Sequence, residues 1–235
     1  MVTLLNIGNT HTAIAEAENG KINSVRKVPT AGLDGEILPQ NTPMAIATVV
    51  PEFREHFTGA NIFWLEPGCS CNINLTKLDC RTMGADRLAN LIALEDKFQL
   101  PALCIDFGTA VTFEMLDKDA NYIGGAIAPG RDLLRRSMHD YTAQLPLVTL
   151  ENSVPDDPGS TTGKQMLLGI NAGILGAVKE LVKMMRRNTD GILKIVGTGG
   201  DAEFFIKNIP EIEYAGDNFT LYGILKAWEI HNKCK

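Results

Sequence analysis

The chain has 235 residues, the length of one large domain or two small ones. Its 45% apolar content supplies a sizeable core and argues against disorder, while 28 acidic against 22 basic residues leave a formal charge of −6. That balance counts against general binding to nucleic-acid phosphates and against docking on anionic membranes, since both need a basic surface.

Val2–Ile7 is an apolar run, and Thr12–Ala17 follows it as a second extended segment. Asn19-Gly20 predicts a hairpin turn into a third, Lys21–Val28. Met44–Val50 reads as a buried strand, Pro51 as a helix start and Asn61–Leu65 as a further strand. Arg87–Phe98 sets Leu88, Leu91, Ile92, Ala93 and Leu94 at helical spacing, and Pro101 stops it. A strand then begins again at Ala102–Asp106, with Thr109–Leu116 and Tyr122–Ile127 as its antiparallel neighbours. Pro129–Tyr141 reads as a helix, Glu151–Gly159 as a polar loop and Gln165–Arg187 as the longest helix. Ile192–Val196 is a strand, Thr198-Gly199-Gly200 leads into a short helix, and Asp217–Lys233 contains the last one.

No membrane span is expected. Ile37–Pro51 is uncharged over fifteen residues but broken by Pro39, Pro43 and Pro51; Gln165–Val178 is uncharged over fourteen. A spanning helix needs about 20. Met1–Leu5 lacks the basic start and cleavage site of a signal peptide. Cys69, Cys71, Cys80, Cys104 and Cys234 are odd in number and irregular in spacing. They predict a reduced, cytoplasmic protein with neither a zinc site nor a disulfide framework. His11, His56, His139 and His231 share no ligand spacing.

One internal repeat stands out. Asn6-Ile7-Gly8-Asn9-Thr10-His11-Thr12 aligns with Asp106-Phe107-Gly108-Thr109-Ala110-Val111-Thr112 at an offset of 100 residues. Each copy follows an apolar strand and opens into another extended segment. Two small α/β domains of common design follow from it, residues 1–100 and 101–235. A strand that ends in Asp or Asn, then a glycine, then Asn or Thr, suits a phosphate: the glycine permits close backbone approach and the next side chain offers a donor. A carboxylate in first place can hold a hydrated magnesium ion. Ordinary hairpin turns use the same residues.

Gly84-Ala85-Asp86-Arg87 opens the helix that follows. Asp86 is either a favoured helix-start residue or a base beside a guanidinium that grips an anion. Gly124–Gly130 is glycine-rich, either a tight connection or a backbone wall of a cleft, and Thr198-Gly199-Gly200 is a weaker candidate for contact with an adenosine. Gly159–Lys164 is not a P-loop, because three residues rather than four separate its glycines and Gln165 follows the lysine. Gly169, Gly173 and Gly176 lie on or near one face of the long helix, where they fit either an intrachain contact or a homodimer seam.

Together, these motifs resemble the type III pantothenate kinases of the actin-like and sugar-kinase ATPase superfamily, in order and spacing, over nearly the whole chain. Thr142–Pro146 belongs to the same set. The resemblance implies two RNase H-like domains with mixed sheets and flanking helices, an active site in the interdomain cleft, and a homodimer. It implies transfer of the ATP γ-phosphate to the primary hydroxyl of pantothenate, the first step toward coenzyme A. In that reading Asp86 is the catalytic base, and Gly84, Ala85, Asp86 and Arg87 bind pantothenate, joined by Thr162 of a partner subunit. The turn of Asn6, Ile7, Gly8, Asn9, Thr10, His11, Thr12 and Ala13, with Thr109, contacts ATP. Asp106 holds potassium or ammonium, and magnesium sits on the phosphates.

Three positions depart from the family pattern. Asn6 replaces an Asp, Thr161 replaces an Asn, and no tyrosine stands near Lys77 or Leu78. Two further readings follow from them: an impaired homologue that acts as a nucleotide-binding or regulatory accessory, and a kinase for another small hydroxy acid.

Overall fold

Two five-stranded mixed sheets organise the chain in the computed structural model, which describes residues 1–35, 42–57, 61–69 and 71–233. Ile37, Pro39 and Cys234, which entered the reading above, lie outside the described residues. In the first sheet β1 (Val2–Ile7), β2 (His11–Glu18), β3 (Lys21–Pro29), β4 (Met44–Thr48) and β5 (Ile62–Trp64) stand in the order β3-β2-β1-β4-β5. β1 runs antiparallel to β2 and parallel to β4. Asn19 and Gly20, at φ 53° and 76°, make the left-handed turn that their sequence predicts. Helix α1 (Ala85–Lys97) follows, with Gly84 before its first turn.

The second sheet repeats the pattern. β6 (Ala102–Phe107), β7 (Ala110–Leu116) and β8 (Tyr122–Pro129) are consecutive neighbours. The two-residue connection from β6 to β7 allows only an antiparallel pair. Helices α2 (Arg131–Asp140) and α3 (Thr162–Arg186) lead to β9 (Lys194–Thr198), which pairs in parallel with β6. α4 (Ala202–Asn208), β10 (Glu213–Tyr214) and α5 (Phe219–Lys233) complete the chain, and the order is β10-β9-β6-β7-β8. Strand for strand this is the first sheet again, and the seven-residue repeat occupies the same turn in both.

The chain packs as two units: Met1–Leu100 with Leu116–Ile123 and Asp217–Lys235, and Pro101–Met115 with Gly124–Gly216. This differs from a single cut at Leu100–Pro101 in two places. The tip of the β7–β8 hairpin groups with the first unit, and so does α5. The reason for α5 is burial: Phe219, Leu221, Ile224, Leu225 and Ala227 are almost fully covered, and each large apolar side chain contributes about 1.5–3 kcal/mol. Gly223 faces the backbone of Ala89 on α1 so closely that a Cβ would collide with it. Thr220 Oγ1 donates to Oδ1 of the fully buried Asn90 at 2.8 Å.

Within the second unit, Phe107 and Phe205 stack at 3.9 Å, and α3 buries Met166, Ile170, Ile174, Val178 and Val182. α3 is long and apolar enough to cross a membrane by length and composition, and 39% of its most apolar stretch is buried in the chain. Gly169, Gly173 and Gly176 are exposed, with no atom within 4 Å of where a Cβ would stand, so no intrachain contact among the described residues accounts for them. The helix expected at Pro51 is a short 3-10 turn, Pro51–His56. A second such turn, Thr30–Gly35, and the two-residue β10 carry no periodicity that predicts them.

Candidate active site

In the first unit, the half-buried Asn6 is the penultimate residue of β1, and the chain then turns through the exposed Asn9, Thr10 and His11. The Gly8 N–H donates to the His11 carbonyl at 3.1 Å, closing the turn. Thr30 holds it from behind: its hydroxyl donates to the Gly8 carbonyl at 2.7 Å, and its N–H to the Thr10 carbonyl at 3.0 Å. Thr12 lies 3.0 Å from the Thr30 hydroxyl and is wholly buried, as is Ile7 in the core with Leu5 and Ile46. Of the predicted turn, then, Ile7 and Thr12 serve as scaffold, while Gly8 to His11 form the reachable surface. Thr30 was not legible as part of this turn, since 22 residues separate it from Gly8.

Gly84–Arg87 stands at the same end of this sheet. Val49 joins the two: its N–H donates to the Ile7 carbonyl at 3.0 Å, and its side chain lies where a Cβ on Gly84 would come within 3.2 Å of it. The Asp86 carboxylate folds back over Gly84, so that a Cβ there would lie 2.6 Å from Oδ1. That oxygen accepts the Arg87 N–H at 2.7 Å. Burial raises the Asp86 pKa above the ordinary carboxylate value, opposed by the Arg87 N–H and the Arg87 charge. Arg87 Nη2 donates to the Tyr122 hydroxyl at 3.2 Å, a partner 35 positions away.

In the second unit, Asp106 is the penultimate residue of β6, and Gly108-Thr109 turn into β7. Gly130, at the start of α2, donates its N–H to the Thr109 carbonyl at 2.9 Å and sits too close to the Gly108 carbonyl for any side chain. Gly199, at φ 99°, lies where a Cβ would come within 2.5 Å of Asp106 Oδ1. The Asp201 N–H donates to the Phe107 carbonyl at 3.0 Å. Thus Gly108 and Gly199 both stand against the Asp106 carboxylate, and Gly130 packs on the Gly108-Thr109 turn. Arg131, 2% exposed, holds that arrangement: its guanidinium pairs with Asp201, donates to the Glu151 carbonyl at 2.8 Å and lies over the Phe204 ring. Its isolated position in the sequence gave no sign of this. Thr162 opens α3 and is exposed, while Thr161 caps the helix by accepting the Lys164 N–H at 3.4 Å.

Among the described residues no group of three or more His, Cys, Asp or Glu could hold a metal unaided. Magnesium in phosphoryl transfer needs no such cage; one or two carboxylates and the substrate phosphates hold it, with water. A single half-buried Asp106 among glycine turns fits a cation shared with phosphate.

A family model for type III pantothenate kinase matches residues 3–184. The chain belongs to the type III pantothenate kinase family. A relative, the type III pantothenate kinase of Methylacidiphilum infernorum, is 31% identical over 244 residues, covering 99% of this chain and 89% of its own. Among solved structures, a protein of Campylobacter jejuni described as a conserved Baf family transcriptional activator superposes with a TM-score of 0.70 at 18% identity, covering 98% of this chain and 99% of that one. The activator of 2-hydroxyisocaproyl-CoA dehydratase from Clostridium difficile, with bound ADPNP, superposes with a TM-score of 0.55 at 12% identity, covering 99% and 96%. The shared fold is that of the actin-like ATPases and sugar kinases, with two RNase H-like domains.

Proposed function

We propose that Asp86 is the catalytic base of the pantothenate kinase activity that comes with this family: phosphorylation of pantothenate from ATP, in coenzyme A biosynthesis. The observation that carries the assignment is the Asp86 carboxylate, seated over Gly84 and hydrogen-bonded at the start of α1 beside Arg87. In the reaction the substrate's primary hydroxyl loses its proton to Asp86 as its oxygen bonds to the γ-phosphorus. The bond from that phosphorus to the bridging oxygen breaks, and ADP leaves. Arg87 grips the pantothenate carboxylate, and the Gly84–Asp86 backbone lines the same substrate. In the first unit the reachable part of the Asn6–Ala13 turn, Gly8 to His11, is assigned to ATP, and in the second unit Thr109 is. Such chemistry is mainly positioning and charge neutralisation. Asp106 would hold a monovalent cation, potassium or ammonium, and magnesium on the phosphates would supply further neutralising charge.

The exposed glycine face of α3 supports a homodimer, in which Thr162 reaches the partner's substrate. Work in the cytoplasm, with neither nucleic acid nor membrane as partner, accords with the acidic surface and the buried face of α3. A coupled ADP-release assay with pantothenate, magnesium and potassium tests the whole reading, and absence of turnover in every cation rejects it.

Asn6 favours a second reading, a homologue of reduced activity, because an amide is a poorer partner than a carboxylate for magnesium and its water shell. Asn6→Asp decides between the two.

A further inference from the structure

We propose that Tyr122 is a positioning residue for Arg87, delivered by the tip of the β7–β8 hairpin to orient the guanidinium toward an anionic substrate group. The inference rests on the role given to Arg87 above.

Tyr122 is 5% exposed, and its hydroxyl oxygen accepts from Arg87 Nη2 at 3.2 Å. A phenol that merely fills a core needs no such partner; here the polar end meets the one guanidinium next to the proposed base. The ring has little freedom, because the hairpin tip is tied to the strand-like segment that precedes α1. The Tyr122 N–H donates to the Asn74 carbonyl at 3.0 Å, and the Asn74 N–H to the Ala120 carbonyl at 2.9 Å. Asn74 Nδ2 donates to Asn121 Oδ1 at 2.8 Å, and Lys77 Nζ pairs with Asp117 Oδ2 at 3.2 Å.

The tip is also fixed within itself. Asp117 Oδ1 accepts the N–H groups of Asp119 and Asn121, each at 2.9 Å, and Ala120 takes the left-handed φ of 56°. Partial burial raises the Asp117 pKa, but the hydrogen bonds from Asn121 and Asp119 and the one from Lys77 outweigh it and bring it to about 2. Asp117 is therefore ionised at neutral pH, and the Lys77 pair that pins the tip is intact there.

This arrangement also accounts for a departure in the sequence. The family resemblance places an aromatic near Lys77 or Leu78, and this chain has none. Lys77 instead anchors the tip that carries Tyr122. An aromatic hydroxyl thus reaches Arg87 from a different part of the chain. Holding a planar fork in one orientation before the ligand arrives lowers the ordering cost of binding. The effect belongs to substrate binding rather than to the chemical step.

Tyr122→Phe removes the hydroxyl and keeps the ring. The expected result is a rise of about tenfold in KM for pantothenate, with kcat within about twofold of wild type and KM for ATP unchanged. In an Arg87→Lys background the same substitution has no further effect on KM, since the two act as one unit. A second measurement needs no turnover. The Arg87 Nε–H resonance, assigned by its loss in Arg87→Lys, reports rotation about the Cζ–Nε bond, which is faster in Tyr122→Phe than in wild type. Both changes together support the proposal, and the absence of either, in an active enzyme, overturns it. If the wild-type chain fails to phosphorylate pantothenate, the functional reading fails separately. The resonance then decides the positioning alone: faster rotation supports it, and unchanged rotation overturns it.

Discussion

The two units share a strand order and a turn, yet they place their carboxylates differently. In the second unit Asp106 sits on the first strand of the repeat, at the turn itself, with Gly199 making room for it. In the first unit the matching position is Asn6, and the carboxylate, Asp86, comes from a helix start that has no counterpart in the repeat; Gly84 makes room there. Each carboxylate oxygen stands close to where a glycine's Cβ would be. The segment that follows the parallel neighbour of that first strand differs accordingly. After β9 it is Gly199-Gly200 and wraps Asp106, whereas after β4 it is Val49-Val50 and seats Gly84. One scaffold thus seats its carboxylate on the first strand in one copy and at a helix start in the other.

The largest expected effect tests the roles proposed above for the two carboxylates. Asp86→Asn lowers kcat by about 10³, measured by ADP release, while KM for ATP changes little. If Asp106→Asn gives the same loss without altering the cation dependence, the two carboxylates are not specialised.

Next in size is a pair of glycine substitutions. Gly199→Ala places a Cβ at φ 99° against the Phe107 carbonyl as well as Asp106, a backbone collision, and costs about 2–4 kcal/mol of stability in urea unfolding. Gly84→Ala meets the movable Asp86 carboxylate and costs less than about 1 kcal/mol, yet kcat falls about tenfold because the base is displaced. Equal stability losses would erase the contrast.

Smaller still is Asn6→Asp, expected to change kcat by less than about threefold if Asn6 belongs to a working site. A rise by orders of magnitude means that the natural chain is impaired.

The last test is pH. If Asp86 is the base it works ionised, and burial raises its pKa, so kcat/KM is expected to fall as pH drops through a value above the usual carboxylate range. Below that pKa each unit costs about tenfold, and the residual activity of Asp86→Asn lacks this limb.

Much of this was legible along the chain because it is local. The Asn19-Gly20 turn, the apolar strands and the glycine at each tight turn announce themselves within a few residues. The helix pattern at Leu88–Leu94 does too. What was not legible is nonlocal or lacks a pattern. Thr30 braces the Asn6 turn across 22 residues, Tyr122 meets Arg87 across 35, and Arg131 reaches Asp201 across 70. The two residues of β10 are too few for any periodicity. A cut at Leu100 also overlooks α5, whose Thr220 bonds Asn90 across 130 residues.

That return of α5 to α1 sets the order of synthesis against the order of folding. A ribosome that has released residues 1–100 has supplied every strand of the first sheet, together with α1. It has not supplied the helix that covers them. Domains usually fold from the N-terminus as they emerge. Here the later-made sheet has all its strands once Tyr214 has emerged, while the earlier one waits with Ala89 and Asn90 uncovered. Until α5 emerges, the surface of α1 at Ala89 and Asn90 lacks the cover that this helix gives it.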